Sequence, residues 1–198
     1  SKLAANGEGF PGWHIECSAM IKKFLGVTID IHLGGVEHIP VHHTNEIAQS
    51  VAANGAQFVN YWLHNEHLLV NNSKMAKSEG TSFSLDEIKN QGYNPLVLRY
   101  FFFFFHYRSK ENFTWEAMKS SQNGLEHLYN QIRELQELKV KSKKLKVNNI
   151  NQKYKNKFIE VINDDLNMPK ALAVMQELLK SRLPTEEKLA TIFYFDRV

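Results

Sequence analysis

Apolar positions recur along this chain with two periods. Trp13, Cys17, Met20, Ile21 and Phe24 fall at helical spacing and Gly26 stands where such a helix would end, so Gly12 to Gly26 is predicted as a short helix. Val27 to Leu33 alternates, with Val27, Ile29, Ile31 and Leu33 on one face and Thr28, Asp30 and His32 on the other, which is a strand pattern. Gly34-Gly35 follows directly. After Pro40, His42 to Asn54 reads as a helix with Ile47 and Val51 on one side. Val59 to Leu63 fits a short strand or a short helix equally, and His67 to Val70 reads as a strand broken by Asn71-Asn72. This alternation predicts a piece of a parallel α/β sheet. Two or three strands cannot bury both faces of such a sheet, so further elements are expected on its N-terminal side.

After residue 80 the pattern becomes helical. Ser84-Leu85-Asp86-Glu87 is a capping box that predicts a helix from Leu85. Asn94-Pro95 is a second start signal, ahead of a helix carrying Leu96, Tyr100, Phe103 and Phe104. Phe101 to Phe105 reads as packing rather than as a base-stacking platform, because a helix distributes five consecutive rings all around its axis. Thr114 is placed to cap a long helix whose stripe is Met118, Leu125, Leu128, Ile132, Leu135 and Leu138. Lys139 to Lys157 is polar, with eight lysines and no acid, and reads as a connector. Helical pattern resumes over Tyr154 to Ile162, over Pro169 to Lys180, and after a cap at Thr185. The expected fold class is therefore α/β plus all-α, ending in an antiparallel helical bundle.

Composition sharpens this division. The 198 residues are 43% hydrophobic and 12% aromatic, enough for a buried core, and no apolar run approaches the length of a membrane span. One cysteine permits no internal disulfide and suggests a reducing cytoplasm. The net charge of +3 is unevenly distributed: residues 1–110 balance nine basic against nine acidic groups, while residues 111–198 carry fifteen against twelve. Eight of the nine histidines precede residue 107. A neutral, histidine-rich half and a basic half suggest two jobs in one chain.

Three constellations could carry chemistry. His42 and Glu46, at i and i+4, project from one helix face, and a thiolate from Cys17 would complete a mixed sulfur, nitrogen and oxygen set suited to zinc. The same spacing is common on helix surfaces, and a lone cysteine on an apolar face is usually core. Gly34-Gly35 at a strand end would let a backbone approach a ligand, or is an ordinary turn. Lys74 and Lys77, in Lys74-Met75-Ala76-Lys77-Ser78, would neutralise charge developing on a polyphosphate, or belong to a solvated loop.

The wording and order of these segments resemble the cysteinyl-tRNA synthetases. The resemblance is carried by Pro11-Gly12-Trp13-His14-Ile15-Glu16-Cys17-Ser18-Ala19-Met20, by Asp30-Ile31-His32 with Gly34-Gly35, and by His42-His43-Thr44-Asn45-Glu46-Ile47-Ala48-Gln49-Ser50. It continues through Val59-Asn60-Tyr61-Trp62, the Lys-Met-Ala-Lys-Ser loop, and Arg99-Tyr100 with His106-Tyr107-Arg108-Ser109. It ends with Asp164-Asp165-Leu166-Asn167-Met168-Pro169-Lys170-Ala171-Leu172. It covers essentially the whole chain.

The resemblance implies a class I aminoacyl-tRNA synthetase. Such enzymes activate cysteine with ATP to cysteinyl adenylate and pass the acyl group to tRNA(Cys). It implies Zn2+ held by Cys17, His42 and Glu46, with Trp13 lining the cysteine pocket. ATP, accompanied by Mg2+, would meet Gly34, Gly35, Glu37 and Lys77, and Lys74 and Lys77 would stabilise the transferring phosphates. Ala76 stands where the family has serine, which removes a hydroxyl but keeps both lysines, and Glu37 stands where it has a shorter aspartate. The family's His-Ile-Gly-His type motif and a second zinc-ligand cysteine are not in this sequence, so the chain is expected to be a C-terminal portion, inactive alone.

The implied organisation is residues 1–70 as the second half of a Rossmann-like nucleotide-binding domain, 71–110 as the loop and stem-contact connector, and 111–198 as a tRNA-binding helical bundle. Implied partners are tRNA(Cys), cysteine and ATP, with no membrane, a cytoplasmic location, and a monomer favoured. The lysine run would contact tRNA phosphates, or is a solvated connector. Two other readings are a cysteine ligase of thiol biosynthesis and a non-catalytic tRNA-binding remnant.

Overall fold

A computed structural model of the chain describes residues 12–75, 83–141 and 149–197. The chain forms two compact units, Ser1–His67 with Tyr107–Lys110 and Leu68–His106 with Glu111–Val198.

In the first unit, α1 (His14–Phe24) leads through Gly26, at φ 105°, into β1 (Ile29–Gly35). A positive φ is open to glycine at little cost, which is why the helix can stop and turn there. A 3-10 turn (Val36–His38) and a π-helical turn (Ile39–His43) then feed α2 (Thr44–Asn54). Gly55, in the left-handed conformation, ends α2 and lets the chain return as β2 (Val59–Asn65). β2 pairs parallel with β1, from Ile29 opposite Val59 to Gly35 opposite Asn65. The segment Val59 to Leu63, which periodicity leaves open, is thus a strand. α1 packs on α2, and the unit's small apolar core is Ile29, Phe58 and Val59 with Ile21 and Trp62 against it.

The faces of these elements depart from expectation. Ile31 and Leu33, on the apolar side of β1, are 57% and 66% exposed, while His32 on the polar side is half-buried. On α2, Ile47 and Val51 are exposed and Glu46 and Ser50 are buried. On α1, Trp13, Met20 and Phe24 are exposed and His14 and Ser18 are buried. Periodicity identified the elements, but within this unit only Ile29 and Ile21 of their apolar stripes meet its core, and buried polar groups that pair with one another across elements line the rest of the interior.

In the second unit, β3 (Leu68–Val70) and β4 (Ser73–Lys74) form a tight hairpin through Asn71 and Asn72, both at positive φ, the conformation a two-residue hairpin turn requires. β5 (Glu111–Phe113) pairs parallel with β3. α3 (Leu85–Asn90) begins at Ser84 with both capping-box bonds formed, and α4 (Pro95–Phe102) begins at Asn94, whose side chain accepts from the Leu96 amide. Val97, Tyr100 and Phe101 form the buried face of α4, whereas Leu96 and Phe104 are exposed, so the inward stripe is shifted from the expected one.

α5 (Trp115–Lys141) is capped by Thr114, whose hydroxyl accepts from the Ala117 amide. Its buried residues Met118, Leu125 and Leu128 follow the expected stripe, but Leu138 is exposed. α6 (Gln152–Asn163), α7 (Met168–Lys180) and α8 (Thr185–Phe195) pack on one another, and α8 also packs on α5. Asn151 and Asn167 cap α6 and α7, whereas α8 starts at Thr185 without a side-chain cap bond. The core joins Val70, Phe101, Phe113, Met118, Phe158, Val174, Leu178 and Ile192, with Phe158 and Phe195 stacked at 4.0 Å.

The lysine-rich stretch is a correction: Lys139 and Lys141 lie in α5, and Lys153, Lys155 and Lys157 lie in α6. Lys157 pairs with Glu177 and Lys155 lies over the Tyr194 ring, while residues 142–148 are outside the described residues. Among the described residues, no helix is long and apolar enough to cross a membrane.

Candidate metal centre

The interior of the first unit is lined with polar side chains. His14 and Ser18 come from α1, one turn apart; His42 and His43 come from the π-helical turn; Glu46 and Ser50 come from α2. His42, Glu46 and Ser50 repeat at i, i+4 and i+8, which aligns them along one side. Burying such groups is costly unless they satisfy one another, and here most do. Ser18 Oγ donates to Gln49 Oε1 at 2.9 Å, tying α1 to α2. His14 Nδ1 lies 2.7 Å from His42 Nδ1, and His43 Nδ1 lies 2.7 Å from His64 Nε2. His32 Nε2 lies 2.9 Å from Glu46 Oε2.

Within this lining, donor atoms of Cys17, His42 and Glu46 all lie within 4.8 Å of one another, and so do those of His32, His43 and Glu46. His42 Nε2 stands 3.5 Å from Glu46 Oε1. Glu46 is 0% exposed, and its Oε1 is buried with no hydrogen-bond partner. A fully buried carboxylate oxygen without a donor calls for a partner, which a cation or a buried water would supply.

The electrostatics agree. Burial holds the His42 imidazole below its ordinary range, with neighbouring histidines adding to the effect and Glu46 opposing it. Burial and the neighbouring His32 and His64 push His43 down to about 4, and burial also lowers His64. Neutral imidazoles at physiological pH keep a lone pair for a metal. Burial and the nearby Glu46 and Glu16 carboxylates push the Cys17 thiol up, so a cation is the partner that would draw it into the thiolate form. A soft sulfur, an imidazole nitrogen and a carboxylate oxygen suit zinc, and they leave a coordination position to fill.

The other candidate residues are placed as follows. Trp13, 57% exposed, stacks on His42 with ring centres 5.1 Å apart. Gly34 and Gly35 end β1, where a side chain would collide with the protein itself: a Cβ on Gly34 would enter the His43 ring and one on Gly35 the Glu37 carboxylate. Glu37 follows in the 3-10 turn, its Oε2 3.8 Å from His67 Nε2. Lys74 lies on β4, and Lys77 lies outside the described residues.

Sequence reasoning singled out Cys17, His42 and Glu46 but not His14, His32, His43 and His64 around them. The available signal was the concentration of histidines in the first half, together with His32 on the strand face opposite the apolar one.

Comparison with known proteins gives the lineage. The chain is 42% identical over 210 aligned residues to a protein named cysteine–tRNA ligase from Treponema denticola, covering 97% of this chain and 43% of that protein. It is 43% identical over 196 residues to cysteine–tRNA ligase 1 from Burkholderia lata, covering 97% of this chain and 39% of that protein. The chain thus spans about two fifths of the length of the curated relatives it matches. Residues 4–123 match the family model of the class I (C) tRNA synthetase catalytic domain. That match runs through the histidine-lined first unit, and the chain belongs to the class I (C) tRNA synthetase family.

Proposed function

We propose that this chain serves the ATP-dependent ligation of cysteine to tRNA(Cys), and that Cys17, His42 and Glu46 hold the zinc ion that selects cysteine. The observation that carries this reading is the convergence of those three donor types on a buried, half-partnered Glu46, in a chain whose relatives are cysteine–tRNA ligases. Cysteine differs from serine by one atom, and an apolar pocket discriminates weakly between near-isosteres. Zinc in this position would supply the missing selectivity, because it binds a soft thiolate far better than a hydroxyl.

The chain's own residues prepare that selection. The neutral His42 ring offers a lone pair, and Glu46 offers an oxygen with no competing donor. Trp13, stacked on His42, would wall the amino-acid pocket. In this reading the strand–helix–strand unit from β1 to β2 is the second half of a Rossmann-like nucleotide-binding domain. Gly34, Gly35 and Glu37, at the carboxyl end of β1, would then meet ATP where open α/β sheets receive ligands. Lys74 and Lys77 would neutralise the transferring phosphates of Mg2+-bound ATP. Residues 71–110 would be the loop and stem-contact connector, and α5 to α8 an antiparallel bundle facing tRNA. Lys153 is exposed on α6 and available for phosphate contact, whereas Lys155 and Lys157 are engaged with Tyr194 and Glu177. A cytoplasmic monomer goes with this reading.

The test is cysteine-dependent exchange of pyrophosphate into ATP by the longer enzyme that contains these residues, which are expected to be inactive alone, with serine as the control. Cysteine should drive exchange and serine should not, and Cys17→Ala or His42→Ala should remove the cysteine response. Equal response to the two amino acids, or full activity in both variants, would refute the reading.

A further inference from the structure

We propose that His14 and His32 are positioning residues of the metal centre: His14 fixes the tautomer of His42, and His32 fixes the rotation of Glu46. The proposal rests on the reading that Cys17, His42 and Glu46 hold zinc.

A ligating histidine binds metal through one ring nitrogen and carries its proton on the other, where an outer partner sets the choice. His42 presents Nε2 towards Glu46, 3.5 Å from Oε1, and turns Nδ1 to His14 Nδ1 at 2.7 Å. Nε2 is therefore the metal-side nitrogen. His42 Nδ1 carries the proton and donates it, and His14 accepts at Nδ1 while holding its own proton on Nε2. In the opposite arrangement His42 would bear its proton on the metal side and could not bind there.

Glu46 poses the corresponding problem of rotation. Its two oxygens are equivalent until something selects between them. His32 Nε2 donates to Oε2 at 2.9 Å and leaves Oε1 without a partner, facing His42 Nε2. This bond turns a carboxylate free to rotate into one with a single oxygen offered. His43 does not share the role: its Nε2 is 3.9 Å from Oε2, beyond a hydrogen bond, and its Nδ1 is taken by His64.

Both braces are themselves held in place. His14 is buried, and its ring contacts both Trp13 and His42, with centroids 4.5 Å and 4.8 Å away. His32 lies opposite Trp62 in the β1–β2 register and meets that indole edge-on at 4.9 Å, with Phe58 at 5.9 Å. The braces thus come from the helix α1 and the strand β1, while the ligands they orient lie on the π-helical turn and α2.

The test measures Zn2+ affinity of the full chain by competition with a chromophoric chelator, and the absorption spectrum of the Co2+-loaded chain. His14→Phe and His32→Phe keep a ring in the packing and remove the polar partner. Each should weaken Zn2+ binding about 10- to 100-fold and alter the Co2+ bands. His14→Asn restores an acceptor near Nδ1 and His32→Gln a donor near Nε2, so both should recover most of the affinity. Cys17→Ser reads the ligand assignment separately. If Cys17→Ser abolishes binding while both Phe variants bind Zn2+ within twofold of wild type, the bracing is wrong and the ligand assignment stands. If Cys17→Ser binds as well as wild type, or wild type binds no Zn2+, the ligand assignment falls and the bracing with it. Histidine nitrogen NMR of the wild-type chain loaded with Zn2+ does not depend on variant folding. It should show His42 protonated at Nδ1 and His14 at Nε2, and a His42 protonated at Nε2 would overturn the proposal.

Discussion

Replacing Glu46 by glutamine is expected to act with opposite sign in the metal-free and zinc-loaded protein. Glu46 is fully buried; its Oε2 is 2.9 Å from His32 Nε2, and its Oε1 has no hydrogen-bond partner. A buried polar atom left unpartnered costs about 1–3 kcal/mol. In Glu46→Gln the amide oxygen can keep the His32 bond. The amide nitrogen then replaces Oε1, which stands 3.5 Å from His42 Nε2, and it meets that lone pair as a donor. Without metal, the substitution should stabilise the first unit by about 1 kcal/mol, or about 4–8 °C in its melting midpoint for a unit of this size. With zinc at about a hundred times its dissociation constant, the wild type gains about 2.7 kcal/mol. The variant gains far less, because its one acceptor oxygen is already held by His32. Thermal melts with chelator and with zinc, accompanied by hydrogen exchange of the α2 amides, read both states. A midpoint lowered by the same amount in both would show that Glu46 is an ordinary buried partner and refute the reasoning.

Three further substitutions probe the surroundings. Gly34→Ala would place a Cβ 2.8 Å from His43 Nε2 and 3.0 Å from His38 Nδ1, so it should destabilise the first unit by about 1–3 kcal/mol in urea unfolding and shift the His43 ring resonances. Burial raises Glu111 to about 7, so the folded chain binds the proton more tightly than the unfolded chain. That contribution to stability is complete below the unfolded value of 4.5 and is lost as pH rises to about 7. Glu111→Gln should accordingly raise the melting midpoint at pH 8 and change it little at pH 4. Leu178→Ala, at a 0% exposed position among α6, α7 and α8, should cost about 2–5 kcal/mol by chemical denaturation.

The local signals of the second unit were legible because they are short-range. The capping box at Ser84, the asparagine before Pro95 and the threonine before α5 act within three or four residues, and the helices begin there. The candidate ligands Cys17, His42 and Glu46 were suggested by residue type and spacing, a weak signal that the family resemblance strengthened. The inner faces of the first unit were not. Ile31, Leu33, Ile47 and Val51 form apolar stripes, yet they are exposed while His32, His42 and Glu46 turn inward. Periodicity reports that an element has two faces and assumes the apolar one is buried. Here the choice is made by pairs that no local pattern displays: His14 with His42 across 28 residues, His43 with His64 across 21, and His32 with Glu46 across 14. Such partners are separated in sequence and meet only once α1, β1, α2 and β2 have assembled.

X-ray absorption at the zinc edge of the zinc-loaded chain tests the metal centre most directly. Cys17, His42 and Glu46 predict one sulfur neighbour at about 2.3 Å and nitrogen or oxygen neighbours at about 2.0–2.2 Å, with the sulfur shell absent in Cys17→Ser. A shell of nitrogen and oxygen alone in the wild type, or an unchanged sulfur shell in Cys17→Ser, would contradict it.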